Sequence, residues 1–218
     1  MHDKSIPRVR DADRTISLLK QATIEQLISN GFAGLSIIPI LKKAGVSRGA
    51  LFHHFESKDK LIAAAFDDIL KEFASRMHEI SHRLRNGNIN QEEFVSQIGD
   101  AFASDLFIAS MEMSLGIRAE HSLSEAVNDA IANWRMELLA FWTNTFDIPG
   151  LTPAEQTTHW AIASNALRGH GFTTSFGLEA SAIEHMQSGF YKIFLKGVTV
   201  KPPSINEVLP FRTPSKTT

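Results

Sequence analysis

The sequence has no cysteine among its 218 residues. Disulfide bonds, thiolate zinc sites, iron–sulfur clusters and a cysteine nucleophile are therefore excluded. The longest unbroken apolar run is the six residues from Leu61 to Phe66, far shorter than a membrane-spanning helix requires. The first ten residues are polar and contain no signal-peptide core. Together these absences lead us to expect a cytoplasmic protein with no membrane partner.

Several other patterns are also missing. We find no Gly-rich phosphate loop, no nucleophile elbow, no internal repeat and almost no alternating apolar–polar segment typical of a strand. Apolar residues instead recur three and four positions apart, which predicts an all-α fold of about nine helices. The expected helices lie near residues 11–30, 37–43, 47–53, 57–85, 91–103, 105–119, 122–146, 153–176 and 181–196.

Capping boxes mark the expected beginnings of four helices. In each box a Ser, Thr or Asn is followed three residues later by Glu, so that side chains and backbone N–H groups can bond reciprocally. The four pairs are Asn90–Glu93, Ser122–Glu125, Thr152–Glu155 and Ser181–Glu184.

Charge is distributed unevenly along the chain. Residues 1–62 contain ten Lys or Arg and six Asp or Glu, for a net charge of +4. Residues 63–218 contain twelve Lys or Arg and eighteen Asp or Glu, for a net charge of −6. The basic front part is therefore the candidate for contact with nucleic acid.

The densest motif lies between Ser36 and Lys60. Ser36 can cap a first short helix, and the following turn, residues 44–47, contains Gly45, which supplies the left-handed backbone that a tight turn requires. Ser47 can cap a second short helix. The spacing is typical of a helix-turn-helix, although any compact helical hairpin with a glycine turn has a similar spacing.

The second short helix is the expected recognition helix. Arg48, at its N-terminal end, can reach O6 and N7 of guanine in the major groove. Ser57 begins the next helix, and the free N–H groups there form a phosphate site together with Lys58. The predicted DNA-binding residues are Ser36, Ser47, Arg48, Gly49, Ala50, Phe52, His53, His54 and Lys58.

Residues 14–62 resemble the DNA-binding domain of the TetR (tetracycline-repressor-like) family. The resemblance rests on the AGVS turn at residues 44–47 and the run FHHFESK at residues 52–58. Phe52 replaces the usual tyrosine, whose hydroxyl commonly contacts a phosphate, while Leu41 and Pro39 replace a usual alanine and a polar residue. Further matching positions are Ile16, Ala22, Gly31, Phe32, Ser36, Ile40, Gly49, Leu51 and Leu61.

The resemblance implies a homodimeric transcriptional regulator, most often a repressor, that binds double-stranded DNA at a palindromic operator. A small-molecule effector would release it, with the long helix from Ser57 connecting the two domains. The expected division is a helix-turn-helix domain at 1–56, a helical effector-binding and dimerisation domain at 57–200, and an irregular, proline-containing tail at 201–218. We expect no cofactor and no catalytic residue.

Residues 63–218 contain no sharp motif, but aromatic and methionine side chains recur along several helices. If the family analogy holds, some of them line a pocket for a mostly apolar effector; otherwise they belong to the core. The candidate ligand-binding residues are Phe102, Phe107, Met111, Trp134, Phe141, Trp142 and His170.

The last expected helix has an apolar stripe. In related proteins this helix and the one before it pack against a second copy as a four-helix bundle; the alternative is an internal core stripe. The candidate dimerisation residues are Ile183, Met186, Phe190, Ile193 and Phe194.

One motif indicates a different class of protein. His78–Glu79–Ile80–Ser81–His82 is a literal H-E-x-x-H, the pattern in which two histidines one turn apart bind zinc and the glutamate activates water. The alternative function is therefore a zinc-dependent hydrolase. No third ligand follows at the metzincin spacing, and the inward stripe of this helix passes beside both histidines. We therefore prefer the regulator and predict no metal site.

Overall fold

The computed structural model describes residues 5–118 and 120–203, with side chains described from residue 11 onward. Within these residues the chain forms nine α-helices, so the predicted all-α fold is confirmed. The helices are α1 Ser5–Asn30, α2 Ile37–Ala44, α3 Arg48–His54, α4 Lys58–Arg85, α5 Gln91–Phe102, α6 Asp105–Ile117, α7 His121–Thr145, α8 Pro153–Thr174 and α9 Ala180–Phe190. None of the described helices combines the length and apolar character needed to cross a bilayer.

Three short elements supplement the helices. A single 3-10 turn at Phe32–Gly34 follows α1, and a π-helical segment at Tyr191–Leu195 continues α9. Two strands, β1 Phe146–Asp147 and β2 Thr199–Val200, pair antiparallel. The sequence did not indicate this pair because two residues are too few to show an alternating pattern.

The chain that follows β2 is held by hydrogen bonds. The backbone N–H of Lys201 donates to the carbonyl of Thr145 at 2.9 Å, and its ammonium donates to the carbonyl of Thr143 at 2.8 Å. Arg85, only 8% exposed, donates to the carbonyls of Lys201 and Pro202 at 3.3 and 2.7 Å. The first residues of the predicted tail are therefore anchored, while residues 204–218 lie outside the described part of the chain.

Two of the four predicted capping boxes are confirmed. In both, the capping side chain accepts from the backbone N–H of the glutamate, and the glutamate side chain accepts from the backbone N–H of the capping residue. Each box satisfies two helix-terminal donors at once. The confirmed pairs are Asn90–Glu93 and Thr152–Glu155.

The other two boxes are wrong. Helix α7 begins at His121, so Ser122 lies inside the helix, and its hydroxyl donates to Oδ2 of Asp59 at 2.7 Å. Helix α9 has Glu179 at its N-cap position with no side-chain cap, which places Ser181 inside the first turn. In both cases the helix starts one or two residues earlier than the motif indicated, within the usual uncertainty of a boundary.

The described chain divides into two compact units. The first contains the described residues up to Leu70 together with Ala109–Ile131, and the second contains Lys71–Ile108 together with the described residues from Ala132 onward. The domain boundaries expected from the sequence stay a prediction. The core of the first unit brings α1, α2, α3 and the start of α4 together through Leu19, Ala22, Ile40, Ala44, Leu51 and Leu61.

The core of the second unit is rich in aromatic rings. The ring centroids of Phe102 and Phe107 are 4.7 Å apart in an edge-on arrangement, and those of Trp142 and Phe146 are 4.8 Å apart. Such pairs add to the stabilisation that burial of the rings provides. These four side chains are almost completely buried.

Candidate nucleic-acid interface

Helix α2 presents one face to the core of the first unit. Ile40 and Ala44 are buried, whereas Ile38 is 79% exposed. Ser36 occupies the N-cap position as predicted, but its hydroxyl makes no capping hydrogen bond. Pro39 stands third in the helix, where a missing N–H group leaves no intrahelical bond unmade.

The turn between α2 and α3 has the predicted left-handed glycine. Gly45 has φ 66° and ψ 29°, and its N–H donates to the carbonyl of Leu41. The N–H of Val46 donates to the same carbonyl at 3.2 Å, and its side chain packs half-buried against the core. Ser47 then caps α3, its hydroxyl accepting from the N–H of Ala50 at 3.2 Å.

Helix α3 is fixed by a single inward anchor. Leu51 has no exposed surface, so the helical repeat directs the residues on the other side outward. Ser36, Ser47, Arg48, Gly49, Phe52 and His53 are exposed among the predicted DNA-binding residues, and Ala50, His54 and Lys58 are half-buried. Gly49 has no side chain and Ala50 has only a methyl group, so little side-chain volume projects from the outer side of α3 at these two positions.

The beginning of α4 supplies backbone donors next to this surface. Ser57 caps the helix, its hydroxyl accepting from the N–H of Lys60 at 3.2 Å. The ammonium of Lys58 donates to the carbonyl of Leu35 at 3.0 Å. That bond uses one of three ammonium protons, so Lys58 fixes the loop before α2 and keeps donors for a phosphate.

Residues that the sequence interpretation did not select complete the surface. Ile38 lies two residues after Ser36 and is the most exposed large apolar side chain of the first unit. Lys42 and Lys60 are also exposed, whereas Lys43 pairs with Glu25 at 2.8 Å. The spacing of Ile37, Ile40 and Leu41 already excludes Ile38 from the inward face, so this signal was present in the sequence.

Two short helices joined at a left-handed glycine, with small and polar side chains on the exposed side of the second, define a helix-turn-helix of the DNA-binding kind. Residues 19–65 match the family model for bacterial regulatory proteins of the tetR family. Over this segment the chain is similar to the TetR family of transcriptional regulators, as the sequence indicated.

Similarity extends beyond the matched segment. The HTH-type transcriptional regulator CymR of Pseudomonas putida is 22% identical over 193 residues, which are 88% of this chain and 95% of CymR. A transcriptional regulator from Rhodococcus sp. has the same fold, with a TM-score of 0.63 and 20% identity over 86% of this chain and 99% of its own. The multidrug binding protein EbrR, complexed with imidazole, gives a TM-score of 0.58 at 16% identity, covering 88% and 98%.

The candidate ligand-binding residues do not form one group. Phe102, Phe107, Phe141 and Trp142 are at most 1% exposed and pack in the aromatic core of the second unit. Trp134 is half-buried in the same unit, and Met111 belongs to the first unit. The seventh candidate, His170, is 6% exposed and lines a cavity.

This cavity has a volume of about 220 Å³ and lies among α5, α8, α9 and the π-helical segment. Four candidate dimerisation residues, Met186, Phe190, Ile193 and Phe194, line it, while Ile183 is half-buried elsewhere on α9. Burial lowers the pKa of His170, partly offset by the nearby carboxylate of Asp100. The imidazole is therefore neutral at neutral pH.

The H-E-x-x-H motif lies on α4. Nε2 of His78 is 3.2 Å from Oε2 of Glu137, whereas Glu79 and His82 are exposed. Within the described residues, no group of three His, Asp or Glu side chains is placed to hold a metal ion. The zinc-dependent hydrolase is therefore not supported.

Proposed function

We propose that this chain is a TetR-family regulator, a cytoplasmic homodimeric repressor that leaves its palindromic operator when a small, mostly apolar effector binds. The observation that carries the proposal is the exposed outer side of α3. Leu51 holds the other side in the core, so the backbone at Gly49 is free to approach a base pair closely. Arg48, Ala50 and His53 read bases, and Ser47 contacts the DNA backbone.

The flanking residues position this helix on the duplex. Ser36, Lys58 and the N–H groups at the start of α4 reach phosphates, which fixes register without reading sequence. Ile38 lies beside Ser36 and offers an apolar contact for a thymine methyl group. Arg and Lys contacts with phosphates make the affinity fall steeply as salt rises.

A homodimer follows from the size of the reading surface. One seven-residue helix contacts too few base pairs for useful discrimination, whereas two in a symmetric dimer, ~34 Å apart, read both halves of a palindrome. Large apolar side chains stay exposed on α8, in the turn that follows it and in the π-helical segment, which supports an interface there. They are Ile162, Phe172, Phe176 and Ile193.

Release by an effector requires that the ligand bind better to the state with low DNA affinity. The second unit contains an apolar cavity, and the similar protein EbrR is a multidrug binding protein. Both support a small molecule as the effector.

The proposal is tested by selecting an operator from random duplex DNA and measuring affinity by fluorescence anisotropy. We expect a palindromic site and a complex with two chains. Arg48→Ala should weaken specific binding at least tenfold, because a bidentate contact with guanine is worth ~1–3 kcal/mol. Arg76→Ala, which removes an exposed arginine of the second unit, is the matched control and should leave the affinity unchanged. Equal affinities of the two variants would contradict the reading role of α3.

A further inference from the structure

The cavity among α5, α8, α9 and the π-helical segment has mostly apolar walls. Leu167, Phe190 and Phe194 are among its lining residues, and its volume is about 220 Å³. An engineered apolar cavity of ~150 Å³ holds benzene. The present cavity therefore has room for a single ring with a short alkyl substituent.

Two polar side chains face the same place in this wall. His170 is 6% exposed, and its Nδ1 is buried without a hydrogen-bond partner. A Cβ built on Gly99 of α5 would stand 3.3 Å from Nε2 of His170 and 3.1 Å from Nε2 of Gln187. Because Gly99 has no side chain, a ligand group entering beside it can reach both the imidazole and the amide.

An unpartnered polar group in the interior is costly. A buried donor or acceptor without a hydrogen bond loses its hydration without compensation, so such a group in a native structure calls for a reason. A ligand that bonds to Nδ1 would remove this cost, whereas a bond to Nε2, the atom beside Gly99, would leave Nδ1 unpartnered.

The π-helical segment that forms another wall of the cavity departs from regular α-helical hydrogen bonding. The N–H of Lys196 donates to the carbonyl of Tyr191 at 2.9 Å, five residues earlier, within the π-helical segment Tyr191–Leu195. Ile193 and Phe194, which line the cavity, belong to this segment. Single π-helical turns occur frequently at functional sites.

We propose that this cavity binds a neutral, compact, mostly apolar molecule with one hydroxyl group, of the alkylphenol class. A hydroxyl both donates and accepts, so beside Gly99 it can donate to Nε2 of His170 and accept from the amide of Gln187. The cavity lining contains no Lys or Arg, so a carboxylate there would lose part of its hydration without gaining a cation as partner. Calling this molecule the effector rests on the proposed function; the binding itself does not.

The test is calorimetric titration of the full chain with 4-propylphenol, and with propylbenzene and 4-propylbenzoate as comparison probes. We expect 4-propylphenol to bind, and the other two to bind at least tenfold more weakly, because one has no hydroxyl and the other is an anion. His170→Phe, which keeps an aromatic ring of similar size, should remove the preference for the phenol over propylbenzene.

A glycine pair provides the control for shape. Gly99→Ala places a methyl group between His170 and Gln187 and should weaken phenol binding at least tenfold. Gly169→Ala, where a Cβ would meet nothing within 4 Å, should leave binding unchanged. Circular dichroism of each variant confirms that it is folded.

Two results would overturn the proposal. One is failure of 4-methyl-, 4-propyl- and 4-butylphenol to bind up to millimolar concentration. The other is loss of dimerisation by Gly99→Ala in analytical ultracentrifugation, which would assign the cavity to a side chain of a second copy. Operator binding, measured separately without any phenol, reports on the proposed function, so failure of one is distinguishable from failure of the other.

Discussion

The guanidinium of Arg48 lies over the ring of Phe52, with 5.7 Å between its central carbon and the ring centroid. The two residues are one helical turn apart on the exposed side of α3. A cation above an aromatic face is attracted to the ring quadrupole, so Phe52 orients the side chain that we expect to read a guanine. This gives Phe52 a function that does not need the tyrosine hydroxyl typical of the family.

Phe52→Tyr should therefore keep Arg48 in place and add one donor for a phosphate. We expect operator affinity to rise about two- to tenfold, because a net hydrogen bond contributes ~0.5–1.5 kcal/mol. The slope of affinity against salt should not change, since the hydroxyl carries no charge. Phe52→Leu, which removes the ring, should weaken binding. A weaker complex with Phe52→Tyr would contradict this geometry.

Alanine substitution at the two glycines near the turn should change folding stability in opposite directions. Gly45→Ala should destabilise the protein by ~1 kcal/mol, since φ is 66° there and a Cβ disfavours that conformation. Gly49→Ala, inside α3, should raise stability by ~0.5–1 kcal/mol and weaken operator binding, because its methyl group would meet DNA. Urea unfolding and fluorescence anisotropy measure the two effects. An unchanged operator affinity of Gly49→Ala would exclude a close approach at this position.

Close packing of α8 against α5 depends on Gly171. A Cβ at Gly171 would overlap the backbone carbonyl oxygen of Phe102, and backbone cannot move aside as a flexible side chain can. We expect Gly171→Ala to lower the free energy of unfolding by at least ~2 kcal/mol. Gly169→Ala, on the same helix with open space around it, should be neutral or slightly stabilising. Similar urea midpoints for the two variants would contradict this expectation, because they would show that α8 can move away from α5 at little cost.

Stability should fall as the pH drops below neutral. Burial lowers the pKa of both His159 and His170, whereas in the unfolded chain both titrate near the ordinary value of ~6.5. Below that pH the unfolded state binds more protons than the folded state, so stability present above ~6.5 is lost as the pH falls toward the folded pKa values. The urea midpoint should be lower at pH 5.5 than at pH 7.5. His170→Phe should reduce the difference, and His121→Phe, at a histidine side chain that is 90% exposed, should not.

The first unit was largely predictable because local rules and packing agree there. The glycine turn and the cap at Ser47 each follow from the identity of a residue, and a matching family pattern reinforced them. The exposure of Ile38 does not by itself mark a binding residue in the sequence, because single exposed apolar side chains are common on protein surfaces. The orientation of Arg48 over Phe52 depends on rotamers, which spacing alone does not fix.

The second unit was predictable as helices but not as a site. Its aromatic residues are periodic whether they fill the core or line a cavity, so Phe102 and His170 looked alike in the sequence although only His170 lines the cavity. Gly99 had no local signal, since its importance comes from two side chains on other helices. The π-helical segment was invisible because its extra residue leaves the apolar spacing of α9 almost unchanged.

The hydrogen bonds of Arg85 set a limit on how the protein can be engineered. If the chain were cut after Val198 and a reporter were joined there, the carbonyls of Lys201 and Pro202 would be lost. The side chain of Arg85 donates to both of them. The cut would also remove β2, the partner of β1. Fluorescent or affinity fusions should therefore be attached beyond Pro203, so that a change in effector response is not confused with loosening of the helix end at Arg85.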